Sequence, residues 1–178
     1  MPDSPPRFFL TGYRGVGKTS VARVAAELLG WSWVDADVEV ERVAGRSIAE
    51  IFAADGEPGF RDAEAAVVAE LCGRERCVVA LGGGALLRPA TSELVRTAGP
   101  VVWLTATAET IHHRLGADPT TATRRPKLTD RGGLAEIEQL LAEREPHYRE
   151  CATLTLAADE LSPAELAERI VAELGLGG

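Results

Sequence analysis

The chain has 178 residues, 46% of them hydrophobic and 26% charged, which is enough for one domain of ordinary size to bury a core without metal or disulfide staples. Its 27 acidic residues outnumber 19 basic ones, leaving a formal net charge of −8. That balance excludes general attraction to nucleic acid or an anionic membrane face, and any anion site must be a local basic cluster.

In chain order, the first apolar run of strand length is "RFFLT" (7–11), followed at once by "GYRGVGKTS" (12–20). Gly12, Gly15, Gly17, Lys18 and Thr19 satisfy G-x-x-x-x-G-K-[ST], with a strand pattern before and a helical pattern after. The glycines let successive N–H groups converge on phosphate oxygens at the positive end of the following helix. Lys18 is expected to reach the β and γ phosphates and the Thr19 hydroxyl to ligate Mg²⁺, with Val16 and Ser20 completing the cradle. Such a corner holds a nucleoside triphosphate.

The second run, "WSWVD" (31–35), ends in "VDAD". In an extended segment residues two apart share a face, so Asp35 and Asp37 are expected to look together into the crevice at the strand's carboxyl end. Taken alone, the pair is equally compatible with an exposed loop. Phe60-Arg61 is expected to precede a helix through Ala63, Ala66, Val67 and Leu71, where Glu64 makes an ordinary surface pair with Arg61. After the third run, "CVVAL" (77–81), Gly82, Gly83 and Gly84 offer bare backbone to a ligand, although a flexible turn explains them as well.

A fourth run, "PVVWL" (100–104), precedes a helical segment with adjacent His112 and His113, which point to different faces and are ill placed for joint metal ligation. The irregular stretch "GADPTTATRRPKLTDRGG" (116–133) has the length of a functional or disordered loop. Gly116 and Gly132-Gly133 flank it. In the next helix Leu134, Ile137, Leu140, Leu141, Arg144 and Tyr148 share a stripe, while Glu136, Glu138, Glu143 and Glu145 fall on its flanks or beyond. Arg144 therefore sits on the apolar face without a partner on that face, and needs a distant carboxylate or an anionic ligand. Pro146 is expected to bend this helix. A fifth run, "ATLTL" (152–156), leads to "SPAE", where Ser162 caps, Pro163 opens and Glu165 completes a capping box. The β-α-β-α order is that of an α/β domain with a largely parallel sheet. Cys72, Cys77 and Cys151, odd in number and without ligand spacing, suit a reducing compartment. "MPDSPPR" lacks the order of a signal peptide, and no run approaches the ~18 apolar residues of a membrane span. The expectation is a cytoplasmic protein.

GxxxxGKT, DxD, the Phe-Arg pair, GGG, an Arg-Pro in a loop and RxxxY resemble the shikimate kinases in content and order, over about residues 7 to 160. The resemblance implies one kinase domain over 1–178, a five-stranded parallel sheet flanked by helices in a P-loop kinase of nucleoside-monophosphate-kinase type. It implies a mobile lid at about 116–133 and a substrate-binding helical region at about 37–72. The implied reaction moves the γ-phosphate of ATP to the 3-hydroxyl of shikimate, in a monomer. By this likeness Lys18 contacts the phosphates, Thr19 and Asp35 serve Mg²⁺, and Asp37 accepts the hydroxyl proton. Arg61, oriented by Glu64, and Arg144 grip the substrate carboxylate, with Gly82, Gly83 and Gly84 beside the ring. Arg125, before Pro126, approaches the phosphate chain from the lid, and Arg114 faces adenine opposite Asp159–Pro163. The sequence departs from the family pattern in a longer, threonine-rich lid and in "RRPKL", which doubles the arginine as Arg124-Arg125 and places Lys127 at an often apolar position.

A gluconate or nucleoside-monophosphate kinase would share the cradle and lid; the two arginines with DxD and GGG argue against it. A GTP-regulated switch would also use the cradle, but "DRGG" (130–133) follows no strand and an NKxD motif is absent.

Overall fold

In the computed structural model, residues 6–118 and 133–177 are described. The five apolar runs become strands β1 (Arg7–Thr11), β2 (Ser32–Asp35), β3 (Cys77–Ala80), β4 (Val101–Thr105) and β5 (Leu154–Ala157), within two residues of their expected ends. They form one parallel sheet in the order β2-β3-β1-β4-β5. The central strands are apolar without alternation because both of their faces are covered. Phe8, Leu10, Val78, Ala80, Val102 and Leu104 face one core, while Phe9, Cys77, Val79, Val101 and Trp103 face the other. Edge strand β2 is paired on one side only, and its Trp33 remains 38% exposed.

Helices α1 (Lys18–Leu29) and α7 (Pro163–Glu173) pack together on the first face. The second face is covered by α2 (Ala36–Ala44), α3 (Ile48–Leu71), α4 (Pro89–Ala98) and the end of α6 (Gly133–Cys151). α5 (Ala108–Ala117) follows β4 and packs against α6. The capping box of α7 forms as the sequence requires: Glu165 N donates to Ser162 Oγ at 3.2 Å, and Ser162 N donates to Glu165 Oε2 at 2.8 Å. Ser47 and Glu50 make the same reciprocal cap on α3.

Two local expectations are corrected. Asp35-Ala36-Asp37 is not extended: Asp35 ends β2 and caps α2, accepting from the amides of Asp37 at 2.9 Å and Val38 at 3.3 Å. Phe60-Arg61 does not precede a helix but lies inside α3, which starts at Ile48 and is kinked where Gly56 takes φ 68° and ψ −174°, just before Pro58. α6 runs through Pro146 to Cys151, with Arg144 and Tyr148 both buried. Cys72, Cys77 and Cys151 are all free and buried. No helix among the described residues is long and apolar enough to cross a membrane.

Candidate active site

The strand order sets β1 between β3 and β4, so the loops leaving β1 and β3 lie side by side at the carboxyl edge of the sheet, where ligands of open α/β sheets bind. The first loop turns at Gly12, where φ is +141° and a Cβ would stand 2.5 Å from the Leu104 carbonyl oxygen. Only glycine meets both conditions. The loop closes on the start of α1, at the positive end of its dipole. Lys18 folds over it, with Nζ donating to the Gly12 carbonyl at 2.6 Å and the Tyr13 carbonyl at 3.0 Å.

A cleft of about 330 Å³ opens above this loop, walled by Lys18, Thr19, Asp35, Asp37, Gly83 and Arg114 among others. Gly15, Gly17, Ser20 and Gly82 join the wall, while Val16 is buried behind it. Thr19 Oγ1 donates to Asp35 Oδ2 at 2.7 Å. The two carboxylates of DxD share the cleft although the physical reason differs from the expected one. Asp35 reaches it as a cap and Asp37 from the first turn of α2.

Behind the glycine turn after β3 lie two guanidinium groups. Arg61 Nη1 donates to Glu64 at 2.7 Å, and Glu57 stands 3.5 Å from Nη2. The Arg61 and Glu64 side chains are only 12% and 3% exposed, so this is a buried pair and not the surface pair expected from local spacing. A Cβ on Gly84 would meet the Arg61 guanidinium at 2.3 Å. Arg144 is 4% exposed, and a Cβ on Gly83 would lie 3.2 Å from its Nη1. Tyr148, one helical turn on, donates from its hydroxyl to the Gly83 carbonyl. Arg144 Nε is buried without a hydrogen-bond partner among the described residues. Its guanidinium carbon lies 5.5 Å from the centre of the Tyr13 ring, within cation–π range. Glu136 also departs from the helical pattern, being buried and not on an exposed flank.

Arg114 joins the ends of the site. It donates to the Val16 carbonyl at 3.0 Å and to the Ala158 carbonyl at 2.7 Å. Beside it a second cavity, about 280 Å³, is lined by Val16, Gly17, Val21, Ala158, Leu161 and Pro163, among others. Asp159 is not among that cavity's lining residues and accepts from Thr107 N at 2.9 Å. Arg124, Arg125, Pro126 and Lys127 lie outside the described residues. Sequence reasoning missed Tyr13 and Arg14, two of the four variable residues of the cradle motif. Arg14 lines the cleft, and Tyr13 is buried beneath Arg144. Burial raises the Tyr13 phenol above its usual pKa against the opposing pull of Arg14 and Arg144.

A glycine loop set between β1 and the dipole of α1, facing carboxylates across a cleft, defines a phosphotransferase of the P-loop class. The shikimate kinase family profile matches residues 14–175. A shikimate kinase of Rhodopirellula baltica is 41% identical over 94% of this chain and 89% of its own length. The solved shikimate kinase of Acinetobacter baumannii, in complex with shikimate, is 37% identical with a TM-score of 0.88, covering 95% of this chain and 92% of that one. The chain belongs to the shikimate kinase family. A gluconokinase of Sinorhizobium meliloti shares the fold at a TM-score of 0.60 and 19% identity, over 97% of this chain and 93% of its own.

Proposed function

We propose that this chain transfers the γ-phosphoryl group of ATP to the 3-hydroxyl of shikimate, giving shikimate 3-phosphate and ADP. The observation that carries the reading is Arg144, buried beside Gly83 with no ion pair among the described residues. An unpaired buried charge costs several kcal/mol, and a substrate carboxylate supplies the missing partner. Arg61, fixed by Glu64, is the second half of the grip.

Asp37 takes the proton of the attacking hydroxyl as its oxygen bonds to phosphorus, and ADP leaves with the electron pair of the broken P–O bond. Lys18 moves from the loop carbonyls to the phosphates. Thr19 and Asp35 bring hard oxygen donors together at 2.7 Å, which fits Mg²⁺, and they are the residues that would hold it. Bound there, the ion would neutralise charge on the phosphate oxygens. Gly12, Gly15, Val16, Gly17 and Ser20 supply the remaining cradle, Arg114 and the cavity beside Pro163 take the adenine, and Gly82, Gly83 and Gly84 border the shikimate ring. Arg125 delivers a further cation from a lid over 116–133, within one kinase domain whose segment 37–72 forms the substrate-binding region. We assign the chain to the cytoplasm as a monomer, in keeping with three free buried thiols.

ADP release measured with shikimate, gluconate and nucleoside monophosphates tests the reading. We expect turnover with shikimate and Mg²⁺ only, and turnover with gluconate but not shikimate overturns it. Asp37→Asn should lower kcat by roughly a hundredfold, whereas Arg144→Ala should act mainly on the shikimate KM, raising it at least about tenfold.

A further inference from the structure

Buried guanidinium groups are ordinarily aimed by a carboxylate, as Glu64 aims Arg61. Arg144 has no such partner among the described residues. What touches it instead belongs to the phosphate loop: the face of Tyr13, 5.5 Å from its guanidinium carbon. On the other side, Gly83 leaves a gap that a methyl group would nearly close, at 3.2 Å from Arg144 Nη1 and 3.4 Å from the Arg14 amide nitrogen. Tyr148 fixes the Gly83 carbonyl from the same helix that carries Arg144. The guanidinium thus lies between an aromatic face and a glycine backbone, and its buried Nε has no hydrogen-bond partner among the described residues.

We propose that Tyr13 is the positioning residue for Arg144, its ring holding the guanidinium plane toward the substrate carboxylate without neutralising it. A carboxylate in the same place would orient the arginine but would also satisfy it, and the substrate would then have to displace a competitor. A π-face attracts the cation while leaving its N–H donors unoccupied. Because Tyr13 sits between Gly12 and Arg14 of the cradle, the substrate grip is attached to the nucleotide loop itself. The inference rests on the shikimate reading above.

The test compares Tyr13→Phe with Tyr13→Leu in the full chain. We expect Tyr13→Phe to stay within about twofold of the parent, since the ring remains. Tyr13→Leu should raise the shikimate KM at least about tenfold, with kcat and the KM for ATP within about threefold. That penalty should vanish for a shikimate analogue whose carboxylate is reduced to a hydroxymethyl group, which a merely structural role would not predict. Equal behaviour of the two variants toward shikimate overturns the assignment, as does an equal penalty on the neutral analogue or on ATP. If Tyr13→Leu does not fold, Tyr13→Met, which fills the space with a flexible side chain, is judged by the same criteria. A parent protein that releases no ADP with shikimate overturns the functional reading itself, whereas an active parent with indifferent Tyr13 variants overturns only the role of Tyr13.

Discussion

Gly12 and Gly84 show how one substitution has opposite meanings at two residues of the same site. At Gly12 a methyl group meets backbone, the Leu104 carbonyl, at a φ of +141°. Neither can yield cheaply, so Gly12→Ala should destabilise the protein by more than about 2 kcal/mol. At Gly84 the backbone, with φ −109°, suits any residue, and the obstacle is the end of a flexible side chain, Arg61 at 2.3 Å. Gly84→Ala should therefore leave the melting temperature within about 3 °C of the parent, yet raise the shikimate KM about tenfold by displacing half of the carboxylate grip. Melting curves and steady-state kinetics on the two variants separate the cases. An unchanged KM in Gly84→Ala would remove Arg61 from substrate binding.

Helix α5 is tied both to the cradle, through Arg114 to the Val16 carbonyl, and to the loop after β5, through Arg114 to the Ala158 carbonyl. Thr107 caps it, donated to by Thr110 N at 3.2 Å, and Thr107 N itself donates to Asp159 in the loop after β5. Burial pushes the Asp159 carboxyl upward, but hydrogen bonds from Thr107 and Thr110 with the charge of Arg114 outweigh it, so its folded pKa lies below the ordinary 3.8. A depressed carboxyl contributes stability that is present above the unfolded value and lost as pH falls through the folded one. Asp159→Ala should cost about 1 kcal/mol at pH 7, and the gap in melting temperature should close below about pH 3.8. At this scale the sequence is most legible: apolar runs marked all five strands, SPAE marked the start of α7, and helical spacing put Arg144 and Tyr148 on a buried face. Legibility fails where tertiary contacts override local pattern. Asp37 reads as extended but lies in the first turn of α2, Phe60-Arg61 lie inside the helical segment that resumes after the Gly56 break in α3, and Glu136 is buried despite its flank position. Tyr13 was invisible because the motif leaves its position free, and only the packing of α6 against the loop gives it a partner.

The molecule as a whole opposes the charge of its substrates. A net charge of −8 provides no long-range attraction for ATP or a carboxylate, so binding depends on the short-range cations gathered at the carboxyl edge of the sheet. With no attractive far field to screen, kcat/KM should fall by no more than about twofold as KCl rises from about 20 to about 200 mM. The same contrast bears on the choice of buffer. Because Arg144 has no ion pair among the described residues and lies in a buried slot, the slot selects anions by shape: flat two-oxygen acceptors match the guanidinium fork, and spherical halides do not. Formate and acetate should then compete with shikimate but not with ATP at constant ionic strength, while chloride leaves both alone. An enzyme assayed in acetate buffer would look weaker for its acid substrate than it is.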